Sequence, residues 1–258
     1  MREVLLSLLI AGCGAGVAFG EEAVLVHRTA SDAFADGRYA EAASLATEIE
    51  TADAYALAAR AVLAEAMCAG AQPSDVVLAR AETLADMALE LDPDHVEGRL
   101  QLAIAYSLKM RPMTKMEAWR SGLGEDARAL AESVIADDPA NAYAHGFLAV
   151  WHVEVVRRGG SFGASMMNAS LEDAFVHYQA AVSLAPGDAG LHWQMARALA
   201  ALDPERYRDR IELALTRAMA TNGETVLQRV MAARAWRLSD AMTTEDSKAV
   251  EALAASLL

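Results

Sequence analysis

Residues 171–186, with the sequence LEDAFVHYQAAVSLAP, carry the clearest copy of a pattern that runs through the chain. Ala174, Tyr178 and Ala181 stand at i, i+4 and i+7, so a helix here presents all three on one face. Small side chains on that face let a second helix approach closely. Pro186 follows the segment and is expected to end the helix.

Two earlier segments repeat this pattern and end in the same way. They are AETLADMALELDP, with Ala81, Ala85 and Ala88 before Pro93, and ARALAESVIADDP, with Ala127, Ala131 and Val134 before Pro139. The three prolines stand 46 and 47 residues apart. A near-constant period of this length predicts stacked supersecondary units.

Composition favours helices throughout. The 258 residues are 54% hydrophobic but only 6% aromatic, and the apolar residues are mostly Ala and Leu, which suit close-packed helices better than strands. The sequence therefore predicts an all-α fold in a single domain, residues 21–258. The formal net charge is −14 and no basic cluster is dense enough to neutralise a phosphate backbone, so nucleic acid is not an expected partner.

The mature chain divides into about five antiparallel helical hairpins and a C-terminal capping pair of helices. Asp92 is expected to cap a helix that begins at Pro93. The long connection at residues 109–116 makes the third hairpin irregular. In the fourth hairpin, residues 159–168 combine glycines with Phe162 and two methionines, which predicts an exposed loop with a role beyond spacing.

The amino terminus resembles an export signal. Residues 1–20 hold one early Arg, an apolar run and the small residues Ala18 and Gly20 before two glutamates, which predicts cleavage after Gly20. Residues 10–13 also resemble a bacterial lipobox, which would instead lipidate Cys13 and attach the chain to a membrane. A third interpretation is an apolar first helix that packs on the array. The first two predict a bacterial protein in the periplasm, free or anchored.

The fourth hairpin also holds the residues that could support catalysis. His145, His152 and Glu154 lie on one predicted helix, but the two histidines are seven residues apart and lack the i, i+4 spacing of metalloprotease helices. No metal site and no cofactor is therefore expected. A hydrolase that uses His152 and Glu154 remains the weaker interpretation. The alternative is that His152 fills the aromatic position between helices that Tyr106 fills in the preceding unit.

These repeats resemble the tetratricopeptide repeat (TPR) family. The resemblance rests on Tyr106, on Leu148 and Ala149, on the alanines before each proline, and on a Gly-aromatic-Ala signature in residues 37–42. It covers roughly residues 23–220 and implies a right-handed solenoid without enzymatic activity. The period of 46 to 47 residues exceeds the 34 of the family, because the third and fourth hairpins have enlarged connections. An exported chain of this kind is also similar to the T-component of TRAP-type transport systems.

The TPR resemblance implies a concave groove that holds a protein or peptide segment. By position in the inner helices, the groove residues would be Glu97, Leu100, Ile104, Tyr143, Val150, Glu154, Trp193 and Arg197. Trp193 and Arg197 are expected to form a half-exposed aromatic platform beside a cation. The resemblance to the T-component implies a carrier of small or lipid-like molecules instead. An open groove would favour the first function and a closed pocket the second. The sequence does not determine the oligomeric state.

Overall fold

The structure, a computed structural model, describes the backbone of residues 16–221 and 223–258 and side chains from residue 25 on. These residues form thirteen α-helices and no strand, which confirms the all-α prediction. The helices are α1 (Gly16–Ala35), α2 (Tyr39–Thr47), α3 (Ala52–Ala69), α4 (Asp75–Leu91), α5 (Val96–Met110), α6 (Lys115–Ser121), α7 (Leu123–Asp137), α8 (Ala142–Met166), α9 (Leu171–Leu184), α10 (Ala189–Leu202), α11 (Arg208–Met219), α12 (Val226–Thr244) and α13 (Ser247–Ser256).

The helices pair as the sequence predicts. α1 packs on α2, α3 on α4, α5 on α7, α8 on α9 and α10 on α11. In addition, α3 packs on α5, α5 on α8 and α8 on α10. These four helices therefore form a continuous inner row. Residues 1–15, with Cys13 and most of the proposed signal peptide, lie outside the described residues. The leader, its cleavage and lipidation stay predictions.

The small residues of the repeat do lie between helices. Each of the alanines named above in α4 and α7, together with Ala174 and Ala181 of α9, is fully buried. Space at these contacts is minimal: a Cβ added to Gly146 on α8 would lie 2.3 Å from Cδ2 of Leu191 on α10. Such close approach is possible only with small side chains, so this part of the predicted register is confirmed.

The proline-containing connections share one geometry. α4, α7 and α9 each end in a C-cap residue with non-helical backbone angles, whose N–H donates to the carbonyl oxygen four residues earlier, and a proline follows. Two residues after each proline, a side chain of His95, Asn141 or Asp188 accepts a hydrogen bond from the first turn of the next helix. The predicted Asp92 cap is therefore wrong: Asp92 ends α4, and His95 caps α5.

Units three and four are enlarged by helices rather than by loops. α6 forms an additional turn of helix in the third unit, begun by a capping box between Thr114 and Glu117. In the fourth unit, α8 continues to Met166 across a kink at Gly160, where φ is 61° and ψ is −161°. The loop predicted at residues 159–168 is thus mostly helical, because glycine accepts the backbone conformation at the kink.

The C-terminal pair of helices does more than cover the last hairpin. α12 packs on α10 and α11 and also reaches α3. Arg234 on α12 contributes to this connection by donating to the carbonyl oxygen of Met67, 2.6 Å away. α13 lies mainly on α10, and Leu257 and Leu258 are buried behind it. The array therefore closes on itself, and its last residues occupy part of the inner face.

Candidate functional site

The inner row of helices surrounds a cavity of about 940 Å³. Its wall is formed by α3, α5, α8 and α10, its sides by α6 and α12, and part of its base by Ala255 and Leu258. The lining is largely apolar, with charged groups only at particular places. A concave, mostly apolar site with few polar groups is the usual form of a ligand pocket.

The structure brings most of the predicted groove residues together. Seven of the eight line this cavity, namely Glu97, Leu100, Ile104, Tyr143, Val150, Glu154 and Arg197. The inner-helix register that placed them is therefore consistent with the geometry. Binding by these residues stays a prediction.

Trp193 differs from its predicted position. Its side chain is 0% exposed and does not line the cavity. The indole N–H donates to the main-chain oxygen of Leu258 at 3.1 Å. The expected half-exposed platform of Trp193 beside Arg197 is wrong, because the residues after α13 cover this part of α10.

One carboxylate organises the charged end of the cavity. Glu154 on α8 accepts hydrogen bonds from Arg157 at 2.6 and 2.8 Å and from Arg197 of α10 at 3.2 Å. Burial opposes the ionised form of Glu154, but the charges of Arg197 and Arg157 outweigh it and lower its pKa. Glu154 is therefore ionised at neutral pH.

Two further arginines stand close to this pair. Arg111 donates to the carbonyl oxygens of Ala255 and Leu257 at 2.9 and 2.8 Å, and Arg158 donates to two carbonyl oxygens near the end of α5. The pKa of Arg111 is lowered to about 10, first by burial and then by the charge of Arg197. Burial also lowers the pKa of Arg158. Both remain cationic at neutral pH. We call Arg111, Arg157, Arg158 and Arg197 the arginine cluster.

The opposite end of the cavity is acidic. Glu97 accepts from Gln101 and lies 3.6 Å from a guanidinium nitrogen of Arg60. The hydroxyl of Tyr143 donates to Asp188 at 3.0 Å. Partial burial of Tyr143, followed by the charge of Asp188, raises its pKa to about 12, so it remains a neutral donor. The two ends therefore differ in charge.

The cavity opens to solvent through an apolar rim. The rim consists of Met116 and Trp119 on α6 and Phe162 and Met166 on the last turns of α8, each more than half exposed. All four lie on the helical additions to units three and four. The sequence indicated a role for residues 159–168, but it did not show that α6 would face them across the same opening.

His152 and Glu154 do not form one site. Glu154 lines the cavity, whereas the ring of His152 is buried toward α9, stacks on His177 and accepts a hydrogen bond from the Ser170 N–H. This position agrees with the alternative interpretation, in which His152 occupies the aromatic position between two packed helices. Among the described residues, no group of three His, Cys, Asp or Glu side chains is arranged to hold a metal ion.

Arg111 and Arg234 are the residues that sequence reasoning missed. Arg111 binds carbonyl groups 144 and 146 positions later, and Arg234 binds one 167 positions earlier. No local pattern marks such contacts. The only available signal was the predominance of Arg among the basic residues of an acidic chain.

No described helix has the length and hydropathy that a bilayer crossing would need, within residues 16–221 and 223–258. The sequence matches no protein-family model and no curated protein. Among solved structures, it is similar to TTC0263, a thermophilic TPR protein of Thermus thermophilus. The TM-score is 0.57 and the identity 16%, over 83% of this chain and 99% of that one.

A double mutant of MamA RS-1 aligns with 86% of this chain and 99% of its own, at 18% identity. Its TM-score is 0.43, which is too low to support an inference. The similarity to TTC0263 concerns architecture, and it agrees with the paired helices and buried alanines described above. The chain has a TPR-like fold.

Proposed function

We propose that this chain is a non-enzymatic binding scaffold that captures a short segment of another protein in its inner cavity. The observation that carries the proposal is the apolar rim, Met116, Trp119, Phe162 and Met166, around a largely apolar cavity. Exposed apolar groups that cluster beside a cavity mark interaction sites, because water is a poor environment for them. The TPR-like fold is compatible with this use.

The size of the cavity limits what can bind. Ligand pockets usually have volumes of about 300 to 1,000 Å³, and 940 Å³ lies near the upper end. Such a volume holds a few side chains with their backbone and cannot hold a folded domain. An extended or helical segment that enters between α6 and the end of α8 suits this opening.

A small amphipathic molecule is the second candidate ligand. The observation that favours it is the closure of the inner face by α12, α13 and Leu258, which leaves a cavity in place of the open groove expected from the sequence. The resemblance to the T-component of TRAP-type systems, which rests on the sequence alone, would imply the same kind of ligand. Mass spectrometry of an organic extract of the purified protein tests this candidate directly.

Mutation of the rim tests segment capture. The double variant Trp119→Ser, Phe162→Ser should weaken capture of the native partner by at least about 2 kcal/mol, roughly 30-fold, because central aromatic residues dominate binding energy. Trp236→Ser is the matched control, since Trp236 is 63% exposed but lies outside the cavity. Chemical crosslinking in the host envelope fraction supplies the readout. Equal crosslinking by the folded double variant and the control would contradict the proposal.

We also propose export to the bacterial periplasm, on the layout of residues 1–20. Intact mass of the protein expressed from its own N-terminus separates the two forms of processing. A chain that begins at Glu21 supports signal-peptide cleavage, and a diacylated chain that begins at Cys13 supports anchoring. Recovery of only full-length protein from the cytoplasm would refute both.

A further inference from the structure

Arg197 has a donor that its surroundings do not satisfy. Its side chain is 3% exposed, its Nε donates to Gln194 and its Nη2 to Glu154. Its Nη1 is buried with no hydrogen-bond partner in the part of the chain that the structure describes. Arg197 also lines the cavity. A buried guanidinium N–H without an acceptor is destabilising, and a ligand oxygen is one of the acceptors that can satisfy it. Nε of Arg99 is likewise buried without a partner among the described residues, but Arg99 lies outside the cavity, so of these two donors it is Nη1 of Arg197 that a cavity ligand can reach.

The charges around Arg197 reinforce this observation. The charged groups that act on Arg111 are Arg197, Arg157, Arg158 and the carboxylate of Glu154. This end of the cavity thus combines four guanidinium groups with one carboxylate. The other contacts of Arg111 and Arg158 are to backbone carbonyl oxygens, which carry no net charge. The arginine cluster thus has more positive than negative charge, and at the buried Arg197 an anion is screened less by water than at the surface.

We infer that the arginine cluster binds an anionic group, of the carboxylate or sulfonate type, on a ligand whose apolar part fills the rest of the cavity. Guanidinium groups form paired, charge-assisted hydrogen bonds with such oxyanions. Leu100, Ile104 and Val150 supply the adjoining apolar wall. The inference rests on the proposed function of the cavity as a binding site and specifies the chemistry of what it binds. The anion is either an acidic group of a peptide segment or the head group of a free amphiphile.

Two fluorescent probes separate apolar binding from anion binding. 8-Anilino-1-naphthalenesulfonate carries a sulfonate, whereas N-phenyl-1-naphthylamine has the same aromatic skeleton without it. The sulfonate probe should bind the wild-type protein about tenfold more tightly, as expected for one additional hydrogen bond to a charged group. Binding of neither probe would refute the cavity as a binding site and the proposed function with it. Equal affinities would refute the anion site alone.

Two variants of the site should act in opposite directions. Arg197→Gln should lower the affinity for the sulfonate probe to that for the neutral probe and leave the neutral probe unaffected. Glu154→Gln removes the one carboxylate that pairs with Arg197 and Arg157, so it should tighten binding of the sulfonate probe. A merely structural role for Glu154 would not produce tighter binding. Weaker or unchanged binding by the folded Glu154→Gln protein would therefore contradict the anion site.

Arg99→Gln is the matched control. Arg99 is also a buried arginine, it pairs with Asp137 at 2.5 Å, and it lies outside the cavity. This variant should lose a comparable ion pair without changing the affinity of either probe. Thermal melting of all three variants establishes which fraction is folded under the binding conditions. If Arg99→Gln reduced sulfonate binding as much as Arg197→Gln, the effect would reflect stability and the inference would fail.

Competition then distinguishes the two sources of the anion. Decanoate, a free amphiphile, and a short apolar peptide with one central Asp are each tested for displacement of the sulfonate probe. The same peptide with Asn in place of Asp is the control. Displacement by decanoate alone supports an amphiphile, and displacement by the Asp peptide but not the Asn peptide supports a protein segment. Failure of both anions to displace the probe would overturn the inference.

Discussion

The indole N–H of Trp193 on α10 donates a 3.1 Å hydrogen bond to the main-chain oxygen of Leu258, 65 residues later in the chain. Arg234 on α12 donates to the same oxygen at 2.8 Å. The residues after α13 are thus attached to the inner face by buried hydrogen bonds. Trp193 is consequently part of the core, although its position on an inner helix would otherwise direct it into the groove.

Substitution of Trp193 should therefore affect folding. Trp193→Ala removes a fully buried aromatic side chain and leaves a cavity, so it should lower the free energy of unfolding by about 3 to 5 kcal/mol. Chemical denaturation measures this value. Trp236→Ala, at an exposed tryptophan on α12, should change stability by less than about 0.5 kcal/mol. Similar losses for both variants would contradict the buried position of Trp193.

The close contact between α8, α9 and α10 provides the second prediction. Ala181 is fully buried beside Leu191, so Ala181→Arg forces a charged side chain into this contact and should cost several kcal/mol, on the order of 3 or more. Val176→Arg is the control because Val176 lies on the same helix but is 63% exposed. Thermal melting gives the comparison. An Ala181→Arg protein that melts like the parent would refute the repeat register.

The repeating pattern of small residues and prolines predicted the features of the fold that depend on residues close together in the chain. The alanines before each proline mark helix faces and the prolines mark helix ends, so the hairpins and the inner row follow from the local sequence, whereas the cap predicted at Asp92 lies at His95. The alternation of apolar and small residues carries this information within a few turns of helix. For the same reason, seven of the eight predicted groove residues lie at one cavity.

Contacts between distant segments were not predictable in this way. The burial of Trp193 depends on Leu258, and the position of Arg111 depends on Ala255 and Leu257. Nothing in the local pattern of α10 or α5 indicates that α13 will cover it. The kinked end of α8 was also missed, since two consecutive glycines are typical of a loop, and only packing decides that the helix resumes after Gly160.

Stability should fall when the protein is acidified. Burial, followed for His177 by the charge of His145, lowers the pKa of both His152 and His177 below the ordinary value of 6.5. The folded protein therefore binds fewer protons than the unfolded chain, so its stability is complete above pH 6.5 and decreases as the pH falls through the lowered pKa values. Denaturation midpoints at several pH values should show this decrease.

The variant His177→Gln tests whether this pair is responsible. It removes one of the two titrating groups and keeps a polar side chain at the position, so the loss of stability between neutral and acidic pH should become smaller. His192 also has a lowered pKa, because it is buried, and it contributes equally to both proteins. A pH dependence that is unchanged in His177→Gln would assign the effect to His192 or to carboxylates and exclude the His152–His177 pair.

The last prediction concerns the attachment of the C-terminal residues. Arg234 donates to the main-chain oxygens of Met67 on α3 and Leu258, and it is one of the residues through which α12 connects the first and last parts of the array. Arg234→Met keeps an apolar side chain of similar length but removes both donors. Amide exchange in residues 247–258 should become about tenfold faster, which corresponds to about 1.4 kcal/mol. Arg237→Met, at an exposed position of the same helix, is the control. If exchange in this segment were the same in both variants, the burial of Leu257 and Leu258 and the hydrogen bonds from Trp193 and Arg111 would suffice to hold the segment in place. The hydrogen bonds of Arg234 would then have no part in closing the inner face.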